Sequence, residues 1–165
     1  MSCRATADRL KLFDTSSTKV VTMNWNWHKN KKPIRSFVLP EKPIHSGIWL
    51  PGQNWLCVCE ALDHGLLKNC KRILAVESDP LTFSEMFKNA PDHPAVECVR
   101  GKLENIVLDD AIDYCFLDFL GGISKPIAVW MRETLSPKLV AGATVAVTQM
   151  YASRGSKIIP DQRRL

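Results

Sequence analysis

The chain has 165 residues, which is the usual length of one domain with a single core and too short for two full domains. Apolar residues make up 45% and charged residues 24%, and the mean hydropathy is -0.10, so the composition is that of a folded globular protein. No apolar stretch approaches the roughly 18 residues needed to cross a bilayer, and the first residues lack the apolar middle of a signal peptide. We therefore expect a cytoplasmic protein without membrane contact.

The net charge of +5 is unevenly distributed along the chain. Residues 1–45 hold nine Lys/Arg and three Asp/Glu, residues 46–153 hold nine and thirteen, and residues 154–165 hold four and one. A basic N-terminal arm and a basic C-terminal tail thus flank an acidic centre. In the arm, aromatic and cationic side chains are interleaved as in single-strand binders: Trp25, Trp27, His28, Lys29, Lys31, Lys32 and Arg35. The pattern fits nucleic-acid binding by the arm (Lys29, Lys31, Lys32, Arg35) and tail, or a solvated basic arm.

The first half of the chain divides into a lead-in segment and the start of a domain. Residues 1–44 contain polar runs and three prolines, which predict a basic, partly extended N-terminal segment, and the domain is expected over 45–165. Residues 46–50 are predicted as a strand, Pro51 and Gly52 as a turn, and residues 54–68 as a helix. A second strand over 72–76 leads into a helix over 81–89, with Pro80 in its first turn.

The second half continues the alternation of strands and helices. A third strand is predicted over 96–99, a weak helix or turn over 103–108, and a fourth strand over 114–118. A helix over 125–139, which Pro137 should end early, and then Gly142 precede a fifth strand over 144–148. This order predicts an α/β fold: a doubly wound, mostly parallel Rossmann-like sheet of about five strands with flanking helices. Such sheets bind ligands beyond the carboxyl ends of their strands, where the strand order switches.

Glu77, after the second predicted strand, is the most informative acid. A carboxylate there can accept two hydrogen bonds from a ribose diol, although Glu77 follows Leu50 by 27 residues, more than the roughly 20 of a dinucleotide fingerprint. A surface acid that begins a helix explains the residue equally well. The sequence contains neither G-x-G-x-x-G after the first strand nor G-x-x-x-x-G-K-[ST], so a nucleoside without phosphates suits the turn at Gly52 better than NAD or ATP.

Asp118 closes the fourth predicted strand, just before Gly121 and Gly122. An acid there can orient a substrate amine, hold the charged end of a cofactor or act as a base, and the glycines let backbone approach closely. Asp118 is therefore the candidate catalytic residue, and a loop acid beside a flexible turn is the alternative.

The six cysteines do not form a metal-binding pattern. Cys57 and Cys59 resemble half of a metal site, but on a helix they lie about 200° apart, and no second Cys/His pair follows at zinc-finger spacing. We expect buried thiols and no metal.

From about residue 44 to residue 154, the order of elements resembles the class I S-adenosylmethionine-dependent methyltransferase family, as a truncated or divergent member. The resemblance rests on SGIWLPG, ILAVESDP, VECVRGKLENI, DYCFLDFLGG and TVAVTQ. It implies S-adenosylmethionine as cofactor, with Glu77 binding the ribose hydroxyls. It also implies that Ser78, Lys102 and Leu103 flank the adenine, and that Pro51, Gly52 and Asp118 lie near the methionine part.

The sequence departs from this family's pattern in three places. The first loop reads LPGQN, where the family usually has an acid and several glycines, and DFLGG replaces the [DN]-PP-[YF] of amino-methylating enzymes, so the target atom is not indicated. The family's sheet normally ends with two hairpin strands beyond the fifth strand, and we expect this chain to lack them. A fifth strand without them has an open edge. We expect a homodimer contact at that edge, a covering N-terminal segment, or a truncated, non-catalytic descendant.

The sequence is compatible with two functions. One is an S-adenosylmethionine-binding methyltransferase-like protein that acts on nucleic acid, since methyl transfer requires alignment more than acid–base groups. The alternative is a non-catalytic interaction module with the same fold, which binds protein or nucleic acid; the missing strands and glycine-poor loop favour it. A dehydrogenase-like domain is disfavoured because the phosphate loop is missing.

Overall fold

The computed structural model describes residues 19–24, 39–119 and 122–149. The strands and helices of these ranges are β1 (Lys19–Asn24), β2 (Ser46–Trp49), α1 (Leu56–Asp63), β3 (Arg72–Glu77), α2 (Pro80–Lys88), β4 (Val96–Arg100), β5 (Ile112–Phe119), α3 (Lys125–Trp130) and β6 (Leu139–Gln149). A 3-10 turn, Leu103–Asn105, precedes β5, and a π-helical turn, Met131–Leu135, with a 3-10 turn, Ser136–Lys138, connects α3 to β6. Within the described ranges, no helix has the length and apolar character needed to cross a membrane.

The strands form one parallel sheet in the order β1-β6-β5-β2-β3-β4. The chain proceeds outward from β2 through β3 to β4 and then returns to the other side of β2 to form β5 and β6. The switch in strand order therefore lies between β2 and β5. All five predicted strands are present, and the predicted doubly wound parallel sheet is confirmed.

Two apolar cores cover the two faces of the sheet. Side chains alternate between the faces along each strand, so that Ile73 and Ala75 of β3 face one core, and Leu74 and Val76 the other. The upper core, which packs against α1 and α2, includes Trp49, Trp55, Val58, Ala61, Met86, Tyr114, Phe116 and Ala146. The lower core, which packs against α3, includes Ile48, Leu103, Cys115, Leu117, Trp130, Met131, Leu135, Val145 and Val147. Burial on both faces explains why the strands are continuous apolar runs in the sequence.

Strand β1 covers the edge of β6. It pairs with β6 in parallel, from Lys19 opposite Thr144 to Asn24 opposite Gln149. Of the outcomes expected for the open edge, the structure shows the covering N-terminal segment, and β6 is paired on both sides. β1 lies in the segment before residue 45, for which no strand was predicted.

Helix α1 ends at Asp63, five residues before the predicted end. Gly65 adopts a positive φ of 69°, and its amide donates to the carbonyl of Leu62 at 2.8 Å. The amide of Leu66 donates to the carbonyl of Ala61 at 3.0 Å. These two bonds form a Schellman motif, so the left-handed glycine ends the helix.

The segment predicted as a helix over 125–139 is helical to Lys138 and ends near Pro137 as predicted, but its geometry changes from α to π and 3-10. The α-helix continues only to Trp130, and Pro137 lies in the 3-10 turn that ends the segment. Because proline lacks an amide hydrogen and its ring obstructs a preceding helical turn, the chain leaves the helix and β6 begins at residue 139. Gly142, with φ 80°, lies inside β6 instead of before it, near an irregularity in the register with β5.

Polar side chains join the strands at the amino edge of the sheet. Arg72 at the start of β3 donates to Glu97 of β4 (Nε to Oε2, 2.8 Å) and to Asp110 before β5 (Nη1 to Oδ2, 3.1 Å). Asp113 of β5 accepts from the amides of His45 (2.8 Å) and Ser46 (3.1 Å) at the start of β2. This network lies at the opposite edge from the switch-point residues described next.

Candidate functional site

Three of the predicted binding segments lie at or just after the carboxyl ends of neighbouring strands. They are Glu77 at the end of β3, the loop 50–54 after β2, and Asp118 near the end of β5. Open parallel sheets bind ligands at this edge beside the switch in strand order. Because neighbouring strands are about 4.8 Å apart, β3 and β5, on the two sides of β2, are separated by about 10 Å.

The loop after β2 is attached to the strands and helices on both sides. The amide of Leu50 donates to the carbonyl of Phe116 in β5 at 2.9 Å. The carbonyl of Gln53 accepts from the side-chain amide of Asn89, after α2, at 3.0 Å. Pro51 is buried, and Gly52 turns the chain with a positive φ of 62°.

The loop ends at Trp55, which has an unusual backbone conformation. Its φ is 53°, a left-handed value that is rare for a bulky residue, and it precedes the first turn of α1 without donating or accepting a side-chain cap bond. The indole is fully buried, and its Nε1 donates to the carbonyl of Met86 in α2 at 2.6 Å. Core packing and this bond hold the conformation, so the loop is a fixed turn and not a glycine-rich phosphate cradle.

Glu77 is half-buried at the carboxyl end of β3. Its Oε1 accepts from the amide of Asp79 at 2.8 Å, while Oε2 makes no hydrogen bond to any residue that the structure describes. The alternation along β3 places the Glu77 side chain on the upper-core side of the sheet, with Ile73 and Ala75. One carboxylate oxygen is thus fixed by its own loop, and the other remains as an acceptor.

The cap of helix α2 is Asp79, not Glu77. Oδ1 of Asp79 accepts from the amide of Thr82 at 2.8 Å, and Pro80 occupies the first helical position. The bond from the Thr82 amide stabilises the carboxylate and holds the pKa of Asp79 below its ordinary value. Ser78, between the two acids, is exposed. Since Asp79 fills the capping role, Glu77 is not needed to begin the helix.

The segment after β4 lies beside Glu77. The amide of Gly101 donates to the carbonyl of Glu77 at 2.9 Å. Lys102 is exposed, whereas Leu103 is only 5% exposed and packs into the lower core. The structure therefore brings Lys102 near the Glu77 loop, but it does not bring the side chain of Leu103 to the upper-core side.

Asp118 and Thr148 are directly opposite each other on β5 and β6. Asp118 is exposed, Thr148 is 4% exposed, and the Thr148 hydroxyl donates to Oδ1 of Asp118. The alternation along β5 places Asp118 on the same side of the sheet as Tyr114 and Phe116, which is also the side of Glu77. Oδ2 of Asp118 makes no hydrogen bond within the described ranges.

No role was predicted for Thr148. Its contact with Asp118 depends on the register of two strands that are 30 residues apart at this point. The available signal was position: Asp118 and Thr148 are each the last residue but one of a parallel strand. Neighbouring parallel strands of one sheet bring such positions together at the same edge.

The predicted nucleic-acid residues lie outside the described residues: Lys29, Lys31, Lys32 and Arg35. The same is true of Gly121 and the basic tail, while Gly122 is described and exposed.

The two cysteines of α1 lie on different faces of the helix, since Cys57 is buried and Cys59 is exposed. Burial raises the pKa of the Cys115 thiol, and to a lesser degree that of Cys98. Among the residues that the structure describes, no three His, Cys, Asp or Glu side chains are grouped as metal ligands.

Neither a protein-family model nor a curated protein sequence matches the chain. Solved structures do: the 23S rRNA methyltransferase ErmE has a TM-score of 0.55 at 20% identity, over 75% of this chain and 48% of ErmE. The N-methyltransferase NodS from Bradyrhizobium japonicum WM9 has a TM-score of 0.52 at 11% identity, over 70% of this chain and 66% of NodS. The match thus spans less than two thirds of either enzyme. The strand order, the parallel pairing and these two similarities show that the chain has the fold of class I S-adenosylmethionine-dependent methyltransferases.

Proposed function

We propose that this protein binds S-adenosylmethionine at the carboxyl edge of its sheet and transfers the methyl group to a nucleic acid. One observation carries the proposal: Glu77 ends β3 beside the switch in strand order, with Oε1 fixed by the Asp79 amide and Oε2 left as an acceptor. A carboxylate held in this way suits the two hydroxyls of a ribose, which donate charge-assisted hydrogen bonds.

The spacing of the strands supports a nucleoside with an amino-acid extension. With the ribose at Glu77, such a ligand crosses the turn at Pro51 and Gly52 and reaches Asp118 on β5, about 10 Å away. Ser78 and Lys102, which are exposed beside Glu77, form the proposed adenine side, and Leu103 lies in the core below them. The cofactor supplies an activated methyl group, and the side chains of the protein bind and orient it.

Methyl transfer depends mainly on holding donor and acceptor close and in line, so few ionisable groups are required. The proposed catalytic residue is Asp118, whose exposed carboxylate accepts from a donor group of the ligand or of the methyl acceptor. No chain of proton-transfer groups is needed for this role.

The proposal of a nucleic-acid acceptor rests on the basic arm. Because β1 is parallel to β6, its last residue, Asn24, lies beside Gln149 at the carboxyl edge of the sheet. Trp25 follows at once, and the cations Lys29, Lys31, Lys32 and Arg35 come after it. The arm is therefore attached at the same edge as Glu77 and Asp118. The fold does not select an acceptor, since ErmE is an rRNA methyltransferase and NodS an N-methyltransferase.

Calorimetric titration with S-adenosylmethionine and with S-adenosylhomocysteine tests the cofactor. We expect the wild-type protein to bind both compounds. We expect Glu77→Gln to lower its affinity for each by about tenfold, because glutamine still accepts from the Asp79 amide but loses the charge and one acceptor oxygen. Glu133→Gln is the matched control, since Glu133 is exposed on the segment that packs against the lower core.

An unchanged affinity in Glu77→Gln would remove the ribose assignment. If the wild-type protein gives no heat at millimolar ligand and its melting temperature does not shift, the cofactor proposal fails. The alternative function, a non-catalytic interaction module, would then be preferred.

A further inference from the structure

The bond from Thr148 to Asp118 adds to a sheet that is already paired there, because the backbone pairing of β5 and β6 continues on both sides of it. Asp118 is exposed, so water alone would satisfy its carboxylate. Thr148, in contrast, is 4% exposed, and a buried hydroxyl requires a partner. The partner of the Thr148 hydroxyl is Asp118, at the carboxyl edge of the sheet, where the proposed ligand lies.

The geometry of the two side chains restricts the carboxylate. Threonine is branched at Cβ, so few rotamers are available to its hydroxyl within a strand. A carboxylate is planar, and the χ2 torsion that turns its plane varies widely unless a partner holds it. When the Thr148 hydroxyl binds Oδ1, the plane of the Asp118 carboxylate is set, and with it the direction of Oδ2.

We propose that Thr148 is a positioning residue, which holds Asp118 so that Oδ2 accepts from the ammonium group at the amino-acid end of the bound cofactor. The inference rests on the proposed function. A ligand whose ribose lies at Glu77 on β3 extends across β2 to β5, and a carboxylate at that end selects the cationic group, not the carboxylate, of the amino-acid part.

Two ligands separate this role from a structural one. S-adenosylhomocysteine carries the amino-acid group, and 5′-methylthioadenosine has the same nucleoside without it. We expect Thr148→Val to lower the affinity for S-adenosylhomocysteine by about five- to tenfold and to leave the affinity for 5′-methylthioadenosine unchanged. Thr148→Ser keeps the hydroxyl, so its affinity for both ligands should stay within about twofold of the wild type. Asp118→Asn, an exposed substitution that does not depend on core packing, should show the same ligand selectivity.

The matched control is Thr144→Val, which makes the same change on the same side of β6, toward the amino edge. We expect Thr148→Val to add nothing further in the Asp118→Asn background, because both changes remove one interaction. Equal weakening of both ligands by Thr148→Val, or full additivity with Asp118→Asn, would overturn the positioning role while the proposed function stands. A wild-type protein that binds neither ligand overturns both.

Discussion

Glu77 and Asp79 are separated by one residue, yet their carboxylates bond to different parts of the same loop. Glu77 accepts from the amide of Asp79, and Asp79 accepts from the amide of Thr82 inside α2. The first bond orients Glu77 at the end of β3, and the second fixes the start of the helix. We therefore expect the two acids of the ESDP motif to have separable effects: Glu77 on binding of the proposed cofactor and Asp79 on stability.

The stability contributed by Asp79 should depend on pH. A carboxyl whose pKa is lower in the folded state than in the unfolded state, where it is about 3.9, stabilises the protein above that pH and loses this effect as pH falls through the lower, folded value. We expect Asp79→Asn to lower the midpoint of urea unfolding at pH 7, and the difference from the wild type to become smaller as pH falls below about 3.9. Asp92→Asn, at another exposed aspartate, is the control. A difference that does not change with pH would contradict this role of the charge.

At the scale of elements, the end of α1 depends on Gly65. With φ 69°, this residue has a left-handed conformation that costs about 1 kcal/mol for a residue with a Cβ. An added Cβ would meet no atom within 4 Å, so the conformation alone determines the effect of a substitution.

We therefore expect Gly65→Ala to lower the free energy of unfolding by about 1 kcal/mol, measured by chemical denaturation. Gly122→Ala is the control, because Gly122 is exposed, an added Cβ there also meets no atom, and its φ is not in the left-handed range. Gly122→Ala should leave stability unchanged or raise it, because alanine reduces the entropy of the unfolded chain. An equal loss of stability in both variants would contradict the role of the left-handed turn at Gly65.

The strands buried on both faces could be predicted because each is a short apolar run, and Pro80 marked the start of α2 correctly. The ends of the helices were less predictable. Gly65 ends α1 through bonds to carbonyls of the preceding turn, and the pattern of apolar residues continues beyond it. A covering N-terminal segment was one of the expected outcomes, but which residues form β1 and which atoms join Thr148 to Asp118 depend on register between segments distant in sequence.

At the scale of the whole molecule, charge and fold are separated, since the basic residues flank an acidic domain. If the arm contacts phosphates, each contact contributes about 0.7 to the slope of log affinity against log salt for a single strand. We expect replacement of Lys29, Lys31, Lys32 and Arg35 by alanine to weaken binding of a labelled single-stranded RNA and to flatten this slope, measured by fluorescence anisotropy between about 50 and 200 mM salt.

The control variant replaces four exposed cations of the acidic centre: Lys68, Lys71, Lys88 and Arg132. It removes the same charge from a different surface. Identical salt slopes in the two variants would mean that the arm acts only through net charge, and an unchanged slope in the arm variant would exclude phosphate contacts there.

The position of β1 also affects the order of folding. Paired residues of β1 and β6, such as Lys19 and Thr144, are 125 positions apart in the sequence. Paired residues of β2 and β3, such as Ser46 and Arg72, are much closer in the sequence. At a synthesis rate of about 5 to 20 residues per second, β1 leaves the ribosome about 6 to 25 s before its partner strand exists. Contacts of such long range form slowly, so we expect the β1–β6 pair to be the last part of the sheet to form. Until then the β1 segment, KVVTMN, is an unpaired strand available to other chains.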